Sequence, residues 1–353
     1  MNSSNLAAFG WDSWFAEQAD LRGEPGGSVA RVVAMDRQQL LLINDTGSFR
    51  AKLAGKYLHE AGSTQDLPCV GDWVWVEKSP ADQFGQVHGI LARKTSLRRK
   101  AVGESVGYQM IAANVDFVII VQSCHYDFNL KRLERYLVMV RDGGAVPHIL
   151  LTKIDLVAPE VLADQLGQIE RAGLGVPVMT LSNVTKEGVD RLQAILRPGK
   201  TYCFVGSSGV GKSTMVNGLV GRDVLETKGV SGSGEGRHTT VRRELFVLEN
   251  GAMVIDNPGM REIGVLGAEE GIEANYADIL ALSSACRFRD CSHTNEPGCA
   301  IRQALAKGEI TQAHYENYTK LQREADHHQL SHAEKRQKDK NFGKMVKSVK
   351  KVP

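Results

Sequence analysis

No window of this 353-residue chain approaches eighteen unbroken apolar residues, which excludes a hydrophobic membrane-spanning helix. The opening stretch MNSSNLAAFGWDSWF lacks both the basic flank and the continuous apolar segment of a secretory signal, so a cytoplasmic location is expected. Cysteine is scarce: six residues are too few to staple a small extracellular fold in a chain of this length, and Cys69, Cys124 and Cys203 stand far apart. There is no internal repeat at the 20–50-residue period of solenoids or propellers. Net charge is only +2, but it is unevenly spread, because residues 333–353 hold eight Lys/Arg against two Asp/Glu. Such a tail suits a polyanion such as RNA, or else serves as a solvated segment that opposes aggregation.

What is present divides the chain. A hydrophobic content of 42% is ample for two or three packed domains. Residues 1–27 form an N-terminal extension in which Trp11, Trp14 and Phe15 suggest an amphipathic helix packed on the neighbouring β-rich region. Within 28–100 lie five short β-rich runs, VARVVAM, QLLLIN, SFRAKLA, DWVWVE and GQVHGILA, separated by turn signals such as NDTG and CVGD. This is the pattern of a small closed barrel; an oligonucleotide-binding (OB) fold fits, and the basic segment ARKTSLRRK at 92–100 favours RNA as its partner. Trp73 and Trp75 alternate with Val74 and Val76 and so share one strand face, as core or as RNA-stacking residues. From 101 to 265, continuous apolar strands (VDFVIIVQ, VPHILLT, VPVMTL, TYCFVG, ELFVLE, MVIDN) alternate with helices near 130–142, 159–172 and 186–196, which indicates a largely parallel sheet covered on both faces. Residues 266–332 read as a small, mostly helical module, and 333–353 as the basic tail.

Gly206–Ser213 fits GxxxxGK followed by Ser or Thr, placed between a buried strand and a helix. In such a loop the backbone of Gly206, Ser207, Ser208, Gly209, Val210 and Gly211 turns its N–H groups inward to cradle phosphate oxygens. Lys212 reaches the β- and γ-phosphates and is a catalytic candidate, Ser213 holds magnesium, and Thr214 completes the nucleotide-binding set. MVIDNPGM supplies Asp256 as a second magnesium anchor through water, and Gly259 as a backbone N–H that senses a γ-phosphate. Between them, SGSGEGRHTT ends in Thr239 and Thr240; one of these hydroxyls closes over magnesium, Thr240 being favoured, or both are strand-entry residues.

The base is read from LLTKIDL, where Asp155 accepts the two N–H groups of a guanine edge and the Lys153 stem lies along the ring, with Thr152 just before them. Adenine would leave the carboxylate facing an acceptor, so guanine is favoured. One strand later TLSN places Ser182 where a backbone N–H meets the guanine oxygen. Cys286, Cys291, His293 and Cys299 form Cx4CxHx5C, three thiolates and one imidazole that match a closed structural zinc site. A metal there stands in for a core that so small and polar a module lacks.

The set TKID, TLSN, GSSGVGKS, RHTT and DNPG resembles the nucleotide motifs of translation-factor-type GTPases in rotated order, with the base-reading half (115–196) ahead of the phosphate half (201–260). That order marks circularly permuted GTPases, and it sends the γ-phosphate-sensing segment directly into the C-terminal module. A barrel, a permuted GTPase domain and a Cx4CxHx5C module in this sequence resemble the bacterial ribosome small-subunit-dependent GTPase family over about residues 28 to 325. The resemblance implies a GTP hydrolase stimulated by the small ribosomal subunit during late maturation, with barrel and zinc module contacting rRNA; a monomer is expected. The other readings are a nucleotide-gated RNA-binding scaffold whose hydrolysis is incidental, and a permuted GTPase of the large subunit.

Several residues depart from the general GTPase pattern. Thr152 stands where Asn is usual, altering one link between base site and phosphate loop; Asn257 replaces Thr or Ser; Met260 replaces a water-orienting Gln. A thioether cannot orient water by hydrogen bonding, so slow intrinsic hydrolysis is expected. His238 is the candidate replacement, the family carrying a histidine proposed for that role; otherwise it faces rRNA or solvent.

Overall fold

The computed structural model describes residues 6–22, 27–36, 39–78, 84–100, 108–223, 243–257 and 269–329. A first helix, α1 (Ser13–Arg22), precedes five barrel strands: β1 (Ser28–Asp36), β2 (Gln39–Asn44), β3 (Gly47–Leu53), β4 (Trp73–Glu77) and β5 (Gly85–Ile90), with α2 (Gly55–Glu60) after β3. β1 pairs with both β2 and β4, β2 with β3, β3 with β5 in parallel and β4 with β5, so the ring closes and leaves no free edge. Alternation along each strand sends Val32, Leu42, Ala51, Val74, Val76 and Val87 into the barrel. The opposite face of β4 carries Trp73 and Trp75, both buried under Leu6 and Phe15 of the N-terminal segment, with the Trp11 ring edge-on to Trp73 at 4.7 Å. The two tryptophans are core residues.

A two-stranded ribbon, β6 (Ser96–Lys100) with β7 (Tyr108–Ala113), leads out of the barrel. Three of the five cations in the basic segment 92–100 are paired with carboxylates. Arg93 grips Asp72 with two bonds (2.8 and 2.7 Å), Lys94 pairs with Asp12, and Arg98 pairs with Asp142 at 3.1 Å. These cations join the N-terminal helix, the barrel and the next domain, and so give less support to RNA binding than their sequence clustering suggests.

The second domain runs β8 (Phe117–Ser123), α3 (Leu130–Asp142), β9 (Val146–Thr152), α4 (Pro159–Arg171), β10 (Val178–Leu181), α5 (Val189–Ile195), β11 (Thr201–Gly206), α6 (Lys212–Val220), β12 (Glu244–Val247) and β13 (Met253–Asp256). Its strand order is β10-β9-β8-β11-β13-β12, parallel except for β12. One face is packed by Leu133, Tyr136, Leu137 and Ile169 of α3 and α4, the other by Leu192, Met215 and Val216 of α5 and α6. β12 also meets β1, at Ala34 and Glu244, making one continuous eleven-stranded sheet. Arg31 of β1 fixes this junction: its buried guanidinium donates to the carbonyls of Gly71, Asn114 (3.1 Å) and Phe9 and to Thr201 Oγ1 (2.9 Å).

The C-terminal module comprises α7 (Glu269–Asn275), α8 (Ala277–Ser284), α9 (Ala300–Lys307) and α10 (Gln312–Gln329). It docks on α3, and Gly271 lies so close that a Cβ there would stand 2.2 Å from the Val138 carbonyl. At the contact, buried Glu134 of α3 accepts from Tyr276 and Asn317 and meets His314 Nδ1 at 3.2 Å, while His314 Nε2 lies 3.3 Å from Asp278. Burial works against a charged His314, but the flanking carboxylates outweigh it and hold its pKa above the ordinary value. A raised histidine pKa contributes stability that is complete below about pH 6.5 and is lost as pH rises through the folded value. Amide protection along the α3–α10 contact should therefore fall as pH rises from about 6.5, and His314→Gln should flatten that profile; hydrogen exchange corrected for intrinsic rates measures both. Among the described residues, no helix is long and apolar enough to cross a membrane.

Candidate functional site

The chemistry-bearing loops leave the sheet at the carboxyl ends of neighbouring parallel strands, the usual ligand edge of such folds. Ser123, Thr152 and Leu181 lie side by side in register, as do Gly206 and Val121, and Phe204 and Asp256. The phosphate loop, Gly206–Gly211, joins β11 to α6, with Lys212, Ser213 and Thr214 as the helix's first residues. Gly206 has φ +151° and lies so close to β8 that a Cβ would sit 2.2 Å from the Val121 carbonyl, so only glycine fits.

Three side chains from three adjacent strand ends hold successive carbonyls of this loop. Tyr126 Oη donates to Gly209 O (3.3 Å), Thr152 Oγ1 to Val210 O (2.7 Å) and Asn183 Nδ2 to Gly211 O (3.2 Å). These bonds fix the backbone of Gly209, Val210 and Gly211, the order that an anion cradle requires of its N–H groups. The link expected to be altered at Thr152 is thus present, made by a hydroxyl. Sequence reasoning missed Tyr126 and the side chain of Asn183. Asn183 is the last residue of TLSN, where a signal was available, whereas Tyr126 stands just beyond a strand end with nothing to mark it.

Lys212 is buried, and its ammonium bridges the carbonyls of Gly206 (2.8 Å) and Ser207 (2.6 Å). Burial lowers its pKa to about 8, opposed by the charges of Asp256 and Asp127. Asp256, at the end of β13, is 1% exposed, and its two oxygens have no side-chain hydrogen-bond partner among the described residues. Burial raises its pKa while the Lys212 charge opposes the shift. A buried carboxylate with free lone pairs facing the start of α6 fits a hard cation. Asp127, also missed in sequence, pairs with Arg132 at 2.7 Å and accepts from the Ser207 side chain.

At the base end, Lys153 takes the left-handed conformation (φ +59°) and Asp155 is exposed on the turn Ile154–Leu156. Ser182 differs from expectation: its N–H is spent on the Glu187 carbonyl (3.0 Å), and its hydroxyl accepts from the N–H groups of Val184 and Thr185. It shapes the loop because that tight turn consumes its donor internally. His238, Thr239, Thr240, Gly259 and Met260 lie outside the described residues.

Cys286, Cys291, His293 and Cys299 converge, their ligand atoms all within 4.8 Å of one another. His293 Nδ1 lies 3.6 and 3.5 Å from the sulfurs of Cys286 and Cys299, which are 4.0 Å apart, near the roughly 3.5–3.8 Å edges of a tetrahedron with zinc-length bonds. Ser283 Oγ contacts the other ring nitrogen at 3.2 Å, fixing the ring and leaving Nδ1 toward the sulfurs.

A phosphate loop on β11, a base motif two strands away but earlier in the chain, and a buried acid on β13 define a circularly permuted GTPase. Comparison with known proteins agrees. The RsgA GTPase family model matches residues 90–266. Small ribosomal subunit biogenesis GTPase RsgA 2 of Lactiplantibacillus plantarum is 43% identical over 328 residues, covering 93% of this chain and 91% of that one. The RsgA of Opitutus terrae is 39% identical over 329 residues, covering 90% of this chain and 89% of its own. Among solved structures, YjeQ from Thermotoga maritima superimposes with a TM-score of 0.61 at 26% identity, over 84% of this chain and 97% of that one. YloQ, described as a circularly permuted GTPase, gives 0.58 at 24% identity, over 85% and 95%. The chain belongs to the RsgA GTPase family, and it is a GTPase.

Proposed function

We propose that this GTPase acts in the biogenesis of the small ribosomal subunit, with its hydrolysis switched on by that particle. The observation that carries the reading is the near full-length similarity to proteins named as small-subunit biogenesis GTPases, joined to a site whose strand ends bring Lys153, Asp155, Lys212 and Asp256 to one sheet edge. In this reading Asp155 selects guanine, the Gly206–Gly211 backbone and Lys212 hold the phosphates, and the N–H of Asn183 takes the base-oxygen role that Ser182 does not fill. Ser213, Thr240 and Asp256 would hold magnesium, which would supply neutralisation of the phosphate oxygens. Zinc on Cys286, Cys291, His293 and Cys299 is structural, since four protein ligands leave no open position. His238 orients the attacking water, and the barrel and zinc module contact rRNA. The protein works as a cytoplasmic monomer.

The test is multiple-turnover GTP hydrolysis with purified small and large subunits side by side. Stimulation of at least about tenfold by small subunits alone is expected, the scale of barrier change that ordering one water-positioning group supplies. Equal stimulation by both particles, or by neither, would overturn the subunit assignment. In the same assay His238→Ala should lose the stimulation while still cosedimenting with the particle; retained stimulation would remove His238 from the mechanism.

A further inference from the structure

Thr152 and Asn183 hold the phosphate-loop carbonyls from within the base-reading motifs themselves, whereas Tyr126 stands outside those motifs and touches both the loop and Lys153. Its hydroxyl accepts from Lys153 Nζ at 2.8 Å and donates to Gly209 O at 3.3 Å, so one oxygen joins the base-reading loop to the phosphate loop. The contact is oriented from both sides. Lys153 is committed by its left-handed backbone, a conformation that non-glycine residues adopt at a cost. Tyr126 is carried by a loop that Asp127 anchors, through Arg132 on one side and the Ser207 hydroxyl on the other. Tyr126 is 47% exposed, and its only ring and cation contacts among the described residues are the edge of His125 at 5.3 Å and the Lys153 ammonium at 4.8 Å.

Resting on the assignment of Lys153 and the phosphate loop to one guanine nucleotide, we propose that Tyr126 is a positioning residue that couples base recognition to phosphate binding. A free lysine side chain samples many rotamers, and laying its stem along a base plane requires ordering all of them. By fixing the ammonium, Tyr126 holds that stem in place before nucleotide arrives. The same hydroxyl steadies Gly209 and thereby the N–H groups of the cradle. Nucleotide bound at one end thus stabilises the grip at the other, and the coupling appears as residence time.

The test is a double-mutant cycle of Tyr126→Phe and Lys153→Met, read by the release rate of a fluorescent GDP analogue, by KM and kcat for GTP, and by thermal stability without nucleotide. Phenylalanine keeps the ring and removes only the bridge. Tyr126→Phe should release GDP about fivefold faster and raise KM by a similar factor, with kcat within about twofold and stability unchanged. In the Lys153→Met background its effect should shrink to the smaller part carried by the Gly209 contact alone, which a purely structural role would not produce. Unchanged or slower release in Tyr126→Phe, or the same effect with and without Lys153, overturns the proposal. If Lys153→Met itself leaves GDP release unchanged, the base-site assignment falls and the proposal with it. If Lys153→Met accelerates release and Tyr126→Phe does not, only the role of Tyr126 is lost.

Discussion

Replacing Asp155 by asparagine is expected to lower GDP affinity by about 100-fold or more and to raise affinity for xanthosine diphosphate. A guanine edge offers two parallel donors, and a carboxylate offers two acceptors to meet them. An amide keeps one acceptor and turns an N–H toward the second guanine donor, so a repulsive donor–donor approach replaces one charge-assisted bond. Together these amount to about 3 kcal/mol. Xanthine carries a carbonyl at that position and accepts the amide N–H. The folded protein should be indifferent to the change, because the Asp155 side chain is exposed while its turn is held by buried Thr152 and Ile154. Titration with fluorescent GDP and xanthosine diphosphate measures both arms. A variant that keeps its guanine preference would show that another residue reads the base.

The parts of the site that were legible in sequence are those whose signal is local. Continuous apolar runs locate the strands, and glycine spacing locates the phosphate loop. The Cys286, Cys291, His293 and Cys299 cluster was legible because all four fall within fourteen residues. What escaped depends on distant partners. Arg93, Lys94 and Arg98 of ARKTSLRRK look free in one dimension, yet their carboxylates, Asp72, Asp12 and Asp142, stand 21, 82 and 44 residues away. Nothing in the sequence marks Arg31 as buried, but acceptors from four segments allow its guanidinium to be so. Pairing of β1 with β12 is equally silent, because backbone hydrogen bonding at a strand edge carries no side-chain pattern. Ser182 shows the remaining difficulty: which N–H a turn leaves free is decided by turn geometry, and residue type says little about it.

The second large effect is expected at the metal centre. Cys299→Ser keeps the side-chain volume but replaces a thiolate by a hydroxyl, a poor zinc ligand near neutral pH, so the protein should lose its zinc and much of the order in its C-terminal module. Between Cys286 and Cys299 no residue lies in a helix or strand. Three sulfurs and an imidazole crowded within 4.8 Å have little to attract one another without a cation among them. Cys299 is also buried in the module's core with Tyr276, Ile279, Ile301 and Leu321, so displacement of this residue disturbs the seating of α9 on α8. Structural zinc contributes about 10–16 kcal/mol in small zinc-finger peptides, more than most of a domain's net stability of about 5–15 kcal/mol. The damage should stop at α3, whose sheet-facing residues Leu133, Tyr136 and Leu137 belong to the separate core under the nucleotide site. The variant is therefore expected to bind GDP with nearly normal affinity while losing amide protection in α8 and α9 and becoming cleavable by protease between residues 286 and 299. Metal analysis, hydrogen exchange and GDP titration on the same preparation separate these effects. Full protection of α8 and α9 in zinc-free protein would mean that packing on α3, and not the metal, holds the module together.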